Sequence, residues 1–194
     1  MTRMDHASSV GPARTTPQAG TERKARYALY TAEERKRRDE TVWTLVQGIL
    51  APLQFLVFLV SLVLVIRTLK TGEGAFAADV SIVVKTFFLY TIMVTGAIWE
   101  KVVFGKYLFA EAFFWEDVFS MLVIALHTLY MVMLLGNYGT LDQRLLVALA
   151  GYGAYVINAG QFIWKLRMAR LQAEAEARLE AAAAEEAQDM AVAA

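Results

Sequence analysis

The sequence predicts an all-α protein: an integral membrane bundle of four transmembrane helices with both termini cytoplasmic. Three observations predict it. Of the 194 residues, 57 % are hydrophobic and the mean hydropathy is +0.41, against roughly 45–50 % apolar usage in ordinary soluble domains. Four runs are long enough to cross a hydrocarbon layer of about 30 Å, for which a helix needs roughly 20 mostly apolar residues. Lysine and arginine gather on one side of those runs, as they do in cytoplasmic segments.

Taken in order, residues 1–29 begin "MTRMDHASSVGPARTTPQAGTERKAR". They carry too little apolar surface to offset the entropy of ordering, so they read as a disordered cytoplasmic tail. They lack the apolar core and small-residue cleavage site of a signal peptide. The transmembrane domain is expected over 30–170, with helices at about 43–66, 80–99, 118–135 and 145–164. Pro52 falls inside the first, where it should kink a helix that lipid tolerates. Glycine-rich and charged stretches, "KTGEGAFAAD" and "GNYGTLDQ", separate the runs into distinct helices. Residues 171–194 are Ala/Glu-rich and read as a frayed cytoplasmic helix.

Orientation follows from charge. Arg35, Lys36, Arg37, Arg38, Lys101, Lys106, Lys165, Arg167 and Arg170 flank one side, and only Arg67, Lys70 and Arg144 the other. The richer side is cytoplasmic. Trp43, Trp99, Trp115 and Trp164 all fall near helix ends on that side, where indole rings favour the interface. Lys85 lies about one and a half turns inside the opposite end of its predicted helix and is expected to snorkel outward.

Several chemistries are excluded. The chain has no cysteine, so disulfides, thiol catalysis and thiolate metal sites are out. The formal net charge is zero, with basic residues confined to the membrane flanks, which gives no footprint for nucleic acid. No phosphate-binding glycine loop or nucleophile elbow is present. His127 and His6 are the only histidines, too few for a metal cage on this chain.

What remains is a set of polar residues on apolar helices. Offsets of 3, 4, 7 and 11 return to one helix face. Gln47, Gln54 and Ser61 therefore share a stripe on the first helix, Glu116, Ser120 and His127 on the third, and Asn158, Gln161 and Lys165 on the last. Such amides and hydroxyls either tie helices together, at about 0.6 kcal/mol each, or line a substrate site. Glu116 and Asp117 open the third helix, Glu100 closes the second and Glu111 lies between them, so carboxyls gather at the cytoplasmic interface. Adjacent residues point about 100° apart, and the stripe with Ser120 and His127 selects Glu116 as the inward acid. Asp117 is expected to cap the helix. His127 lies about 16 Å deeper than Glu116, where it is a bonded core histidine, a proton relay or an axial ligand to a tetrapyrrole metal.

The strings "QGILAPLQFLVFLVSL", "YTIMVTGAIWEKVVFGKYLF", "FFWEDVFSMLVIALHTLY" and "YVINAGQFIWKL" resemble the 3-vinyl bacteriochlorophyllide hydratase family of bacteriochlorophyll biosynthesis, from about Tyr30 to Arg170. The resemblance implies a multi-pass enzyme of the cell inner or intracytoplasmic photosynthetic membrane. It would add water to the C3 vinyl group of chlorophyllide a or its bacteriochlorin counterpart, giving a 1-hydroxyethyl group. The substrate is then a chlorophyllide-type tetrapyrrole, the surroundings are membrane lipid, and reductase and dehydrogenase enzymes of the same synthesis are possible partners. Hydration needs no redox or nucleotide cofactor. On that reading Glu116 is the proton donor, Glu100 or Asp117 the base that positions water, and His127 a proton relay or a ligand to the substrate's magnesium. Gln47, Gln54, Asn158 and Gln161 would bond macrocycle carbonyls, and Lys101 or Lys106 the propionate. The alternative is a non-catalytic membrane pigment-binding or assembly protein, in which the carboxylates only cap.

Overall fold

The computed structural model describes residues 29–193, whose regular structure is entirely helical. A short helix, α1 (Ala32–Glu40), precedes four long ones: α2 (Val42–Thr71), α3 (Ala75–Phe104), α4 (Phe114–Leu135) and α5 (Leu141–Ala193). A single 3-10 turn, Glu111–Phe113, leads into α4. Each long helix is long and apolar enough to cross a membrane. Large side chains facing away from the bundle, such as Leu56, Val63, Phe87, Leu129 and Ile157, are apolar as well, the pattern of helices surrounded by a non-aqueous phase.

The boundaries follow local chemistry. Thr31 starts α1 with a capping box, its hydroxyl accepting from the Glu34 amide while the Glu34 carboxylate accepts from its own amide. The α2–α3 connection is only Gly72, Glu73 and Gly74, and both glycines take left-handed φ angles, +73° and +84°. A side chain at either would strain that turn. The helices α2 and α3 therefore form one antiparallel hairpin and α4 and α5 a second, and the two hairpins pack through α3 on α4 and α2 on α5.

Helix lengths exceed the sequence expectation. Apolar windows end where hydrophobicity ends, but the backbone ladder runs on until a residue makes it turn, at Gly72 for α2 and Gly105 for α3. In α5, nothing after Gly160 breaks a run of strong helix formers, so the Ala/Glu segment continues the helix to Ala193 and is not a separate frayed element. The expected tail of residues 1–29 lies outside the described residues apart from Leu29. Pro52 sits inside an α2 that runs on as one helix.

Lys85 does not snorkel, and this corrects the sequence expectation. Because α3 begins at Ala75, not near residue 80, Lys85 lies about 15 Å from the helix start, on the face turned into the bundle. It is fully buried. Its Nζ is 3.2 Å from His127 Nε2 and 4.3 Å from the ring centre of Tyr155, with Tyr152 at 5.2 Å and Phe58 at 5.9 Å. The core packs around this group, with Phe58 and Val65 from α2, Ile82 from α3, Val123 from α4 and Leu145 and Tyr152 from α5.

Removing one member of the Lys85–His127 contact strands the other. We expect Lys85→Met to lower stability by about 1–3 kcal/mol, the cost of an unpartnered buried group. His127→Leu should cost at least as much, because it leaves the buried Lys85 amino group without its acceptor. The double variant should cost less than the sum. Thermal unfolding in detergent measures all three, and strict additivity would show that the contact contributes nothing.

Candidate active site

The carboxyls come together where α3 ends, α4 begins and α5 leaves the bundle. Glu100, Glu116 and Asp117 are all buried, at 6 %, 5 % and 3 % exposure, so the expectation that only one of the adjacent pair faces inward fails. A helix inside a bundle has neighbours on two sides, and residues 100° apart can each meet one. Glu116 meets α5, where Lys165 Nζ donates to its Oε2 at 2.6 Å. Asp117 meets α3 and faces the Glu100 carboxyl within hydrogen-bonding contact.

Asp117 is not a cap of its own helix. Its Oδ2 accepts from the Phe109 amide at 2.6 Å, and Glu100 Oε2 accepts from the Ala110 amide at 3.3 Å. Both donors belong to the 105–110 loop, which bends across this end of the bundle with Phe109 at φ +57°, a conformation uncommon for a bulky residue. The two acids thus hold the loop, and the loop holds the acids. Lys165 also donates to the Ala112 carbonyl and lies 4.9 Å from the Phe113 ring centre. The sequence places Lys165 both on the basic cytoplasmic flank and, by its offset of seven from Asn158, on the inward stripe, without assigning it a partner in the site.

One turn deeper, Asn158 Nδ2 donates to Ser120 Oγ at 2.8 Å. Asn158 Oδ1, Gln54 Oε1 and Gln161 Oε1 are buried atoms with no hydrogen-bond partner. Gln47 donates to Thr95 Oγ1 at 2.8 Å. Lys101 donates to the Gly105 carbonyl at 2.8 Å, and Lys106 is exposed on the loop.

His127 stands apart from this group, at the level of Lys85. Its Nδ1 lies 2.8 Å from the Val123 carbonyl, which only accepts, so that nitrogen carries the proton and Nε2 offers its lone pair to Lys85. Gly151 makes the fit possible, since a Cβ there would stand 2.9 Å from the ring. Both nitrogens are spent inside the bundle, so neither is presented to a ligand.

An aromatic cluster adjoins the site through Phe113, whose ring lies beside Lys165. Tyr30, Phe104, Phe113, Trp99 and Phe162 pack together, with ring centres 5.6–6.4 Å apart where they touch. The Trp99 indole also donates to Thr44, and the Arg38 guanidinium lies 4.8 Å from the Tyr30 ring centre. The aromatics Tyr107, Phe109, Phe114 and Trp115 face outward from the loop and the start of α4. Composition alone did not distinguish them from lipid-facing residues.

Residues 30–168 match the family described as 2-vinyl bacteriochlorophyllide hydratase. The 2-vinyl bacteriochlorophyllide hydratase of Rhodobacter capsulatus is 68 % identical over 152 residues, 78 % of this chain and 88 % of that protein. The protein of the same name from Cereibacter sphaeroides is 69 % identical over 148 residues, 76 % of this chain and 91 % of its own length. No solved structure matches the chain.

Burial pushes the Tyr30 phenol from its ordinary 10 up to about 12, against the opposing pull of Arg38. The folded chain therefore holds this proton more tightly than the unfolded one. The resulting stability is whole below pH 10 and is lost as pH rises through about 12. Between those limits the thermal midpoint should fall more steeply in the unmodified protein than in Tyr30→Phe, and equal slopes would show that Tyr30 is not the group responsible.

Proposed function

The chain belongs to the 2-vinyl bacteriochlorophyllide hydratase family and is a hydro-lyase of bacteriochlorophyll synthesis, and from that premise we propose a substrate, a product and a proton donor. The substrate is chlorophyllide a or 3-vinyl bacteriochlorophyllide a, the C3 vinyl group being position 2 in older macrocycle numbering. The product is the 3-(1-hydroxyethyl) compound. Family membership sets aside the non-catalytic pigment-binding alternative.

The observation that carries the site is the buried pair of facing carboxyls, Glu100 and Asp117. Two carboxyl groups in hydrogen-bonding contact need a proton between them, so the pair is a stored acid in a water-poor setting. That proton passes to the terminal vinyl carbon as the π bond opens. The positive charge at the inner carbon spreads into the macrocycle and is stabilised by the carboxylate charge left behind. Water adds at the inner carbon, and its surplus proton returns to the pair. The sum is one water added and no net change in the protein. Glu116, the acid favoured by its stripe, is ion-paired with Lys165 and holds α4 to α5 in this scheme.

The flat macrocycle rests at the interface against Tyr107, Phe109, Phe114 and Trp115, and Lys106 or Lys101 pairs with the propionate. A substrate of this kind partitions into the boundary between lipid and water, which accounts for an acid site at one end of the bundle. The loop lysines and the N-terminal arginines lie at the same end, so we place that end and both termini on the cytoplasmic side. The setting is the inner or intracytoplasmic membrane, next to the reductase and dehydrogenase steps that precede and follow hydration.

Two experiments test these assignments. Reporter fusions at residues 72 and 138 should both read periplasmic, and a cytoplasmic signal at either breaks the topology. Purified protein given chlorophyllide a in detergent should add the mass of water and shift the red absorption band. Glu100→Gln and Asp117→Asn should each lower turnover on the order of 10²-fold or more, with Glu116→Gln affected far less. The reverse ranking would return the proton to Glu116.

A further inference from the structure

A hydratase must hold water as well as a proton, and two buried amides are placed to do so. Gln54 is 2 % exposed and Asn158 9 %, and the side-chain oxygen of each is buried without a partner. Buried amide oxygens nearly always accept a hydrogen bond, so two in one region signal a missing donor. Helix register puts them in one region. The ring of Phe58 on α2 meets that of Tyr155 on α5 with centres 4.9 Å apart, and the two helices run antiparallel. One turn before Phe58 is Gln54, and one turn after Tyr155 is Asn158, so both lie at one level on facing helices. Ser120 lies at the same level on α4, bonded to Asn158. Four residues, or about 6 Å, separate Ser120 from Glu116 along the helix axis, which sets this level one turn below the acids.

The missing donor has a definite chemistry. Macrocycle carbonyls only accept, so they cannot satisfy an amide oxygen. Water and the hydroxyl of the product both donate. We propose that Gln54 and Asn158 form the water site of the reaction: their oxygens hold the water that captures the inner-carbon cation, and they fix the face from which it arrives. In this role they are positioning residues for the nucleophile, not ligands of the macrocycle. The proposal rests on the vinyl-hydration reading and deepens it. Capture forms the carbon–oxygen bond, and the departing water proton goes to the Glu100–Asp117 pair. If capture fails, the terminal carbon returns a proton to the pair and the vinyl group is restored.

That reversal supplies the test. In deuterated water, a chain that protonates without capturing washes deuterium into the terminal vinyl position of recovered substrate. Gln54→Met is the informative variant, because Gln54 makes no hydrogen bond to the protein and its loss removes none. Asn158→Leu is the second. In full-length protein in detergent with chlorophyllide a, we expect both variants to raise the ratio of vinyl exchange to hydration about tenfold, the effect of one lost hydrogen bond. We also expect the 1-hydroxyethyl product to move toward an equal mixture of the two epimers at the new carbinol carbon, with Gln54→Met at least as heat-stable as the unmodified protein. A purely structural role would lower exchange and hydration together and leave both the ratio and the epimeric composition unchanged, and that result in Gln54→Met overturns the proposal. Unmodified protein that neither hydrates nor exchanges overturns the vinyl-hydration reading itself, and the water site with it.

Discussion

Lys85 puts an amino group at the buried centre of the bundle, and the other three long helices supply its surroundings. A polar group without partners in such a place is costly, so its neighbours are specified tightly. Helix α4 provides the lone pair of His127 at 3.2 Å, α2 the face of Phe58, and α5 the faces of Tyr152 and Tyr155. The Tyr152 hydroxyl continues the network to Ser61, 2.5 Å away, and Ser61 to Ser81 at 2.7 Å. Polar contacts thus join all four helices at one level. Surrounded by apolar side chains, they select one rotation for each helix more strongly than dispersion alone can.

The acid site inherits its geometry from that level. With His127 fixed, Ser120 and Glu116 follow at offsets of seven and eleven on α4, and both remain on the bundle face. Gly151 lets α5 approach the histidine ring, and Asn158 and Lys165 follow at offsets of seven and fourteen, in reach of Ser120 and Glu116. A rotation of α5 that broke the contact at the centre would also carry Lys165 away from its carboxylate. Asp117 escapes this stripe and finds Glu100 because α4 has a second neighbour in α3. The loop amides of Phe109 and Ala110 hold those two acids in place.

The proposed reaction hydrates a vinyl group conjugated with the macrocycle. The hard step is the delivery of a proton to carbon, which calls for an acid kept ready away from bulk water. In the proposed scheme the buried Glu100–Asp117 pair meets that need. In the same scheme water arrives through the polar layer one turn beneath the acids, where the Gln54 and Asn158 oxygens have no partner.

Much of this was legible in the sequence. Hydropathy marked four helices, because the need to satisfy backbone groups in lipid leaves few other options. The stripe from Glu116 to His127 was readable because helical periodicity belongs to a single segment. The particular strings around Glu100 and Glu116 carried the family. What the sequence could not determine was which face of one helix meets which face of another. Lys85 read as a snorkelling residue because its depth depends on where α3 starts, and its partners lie on three other helices. Asp117 read as a cap because a one-dimensional stripe admits one inward face per helix, whereas a helix in a bundle has two. The partnering of Glu100 with Asp117, of Glu116 with Lys165 and of Asn158 with Ser120 joins residues 17 to 49 positions apart; the last two pairs need α4 and α5 to pack face to face within their hairpin, and the first needs one hairpin to pack against the other.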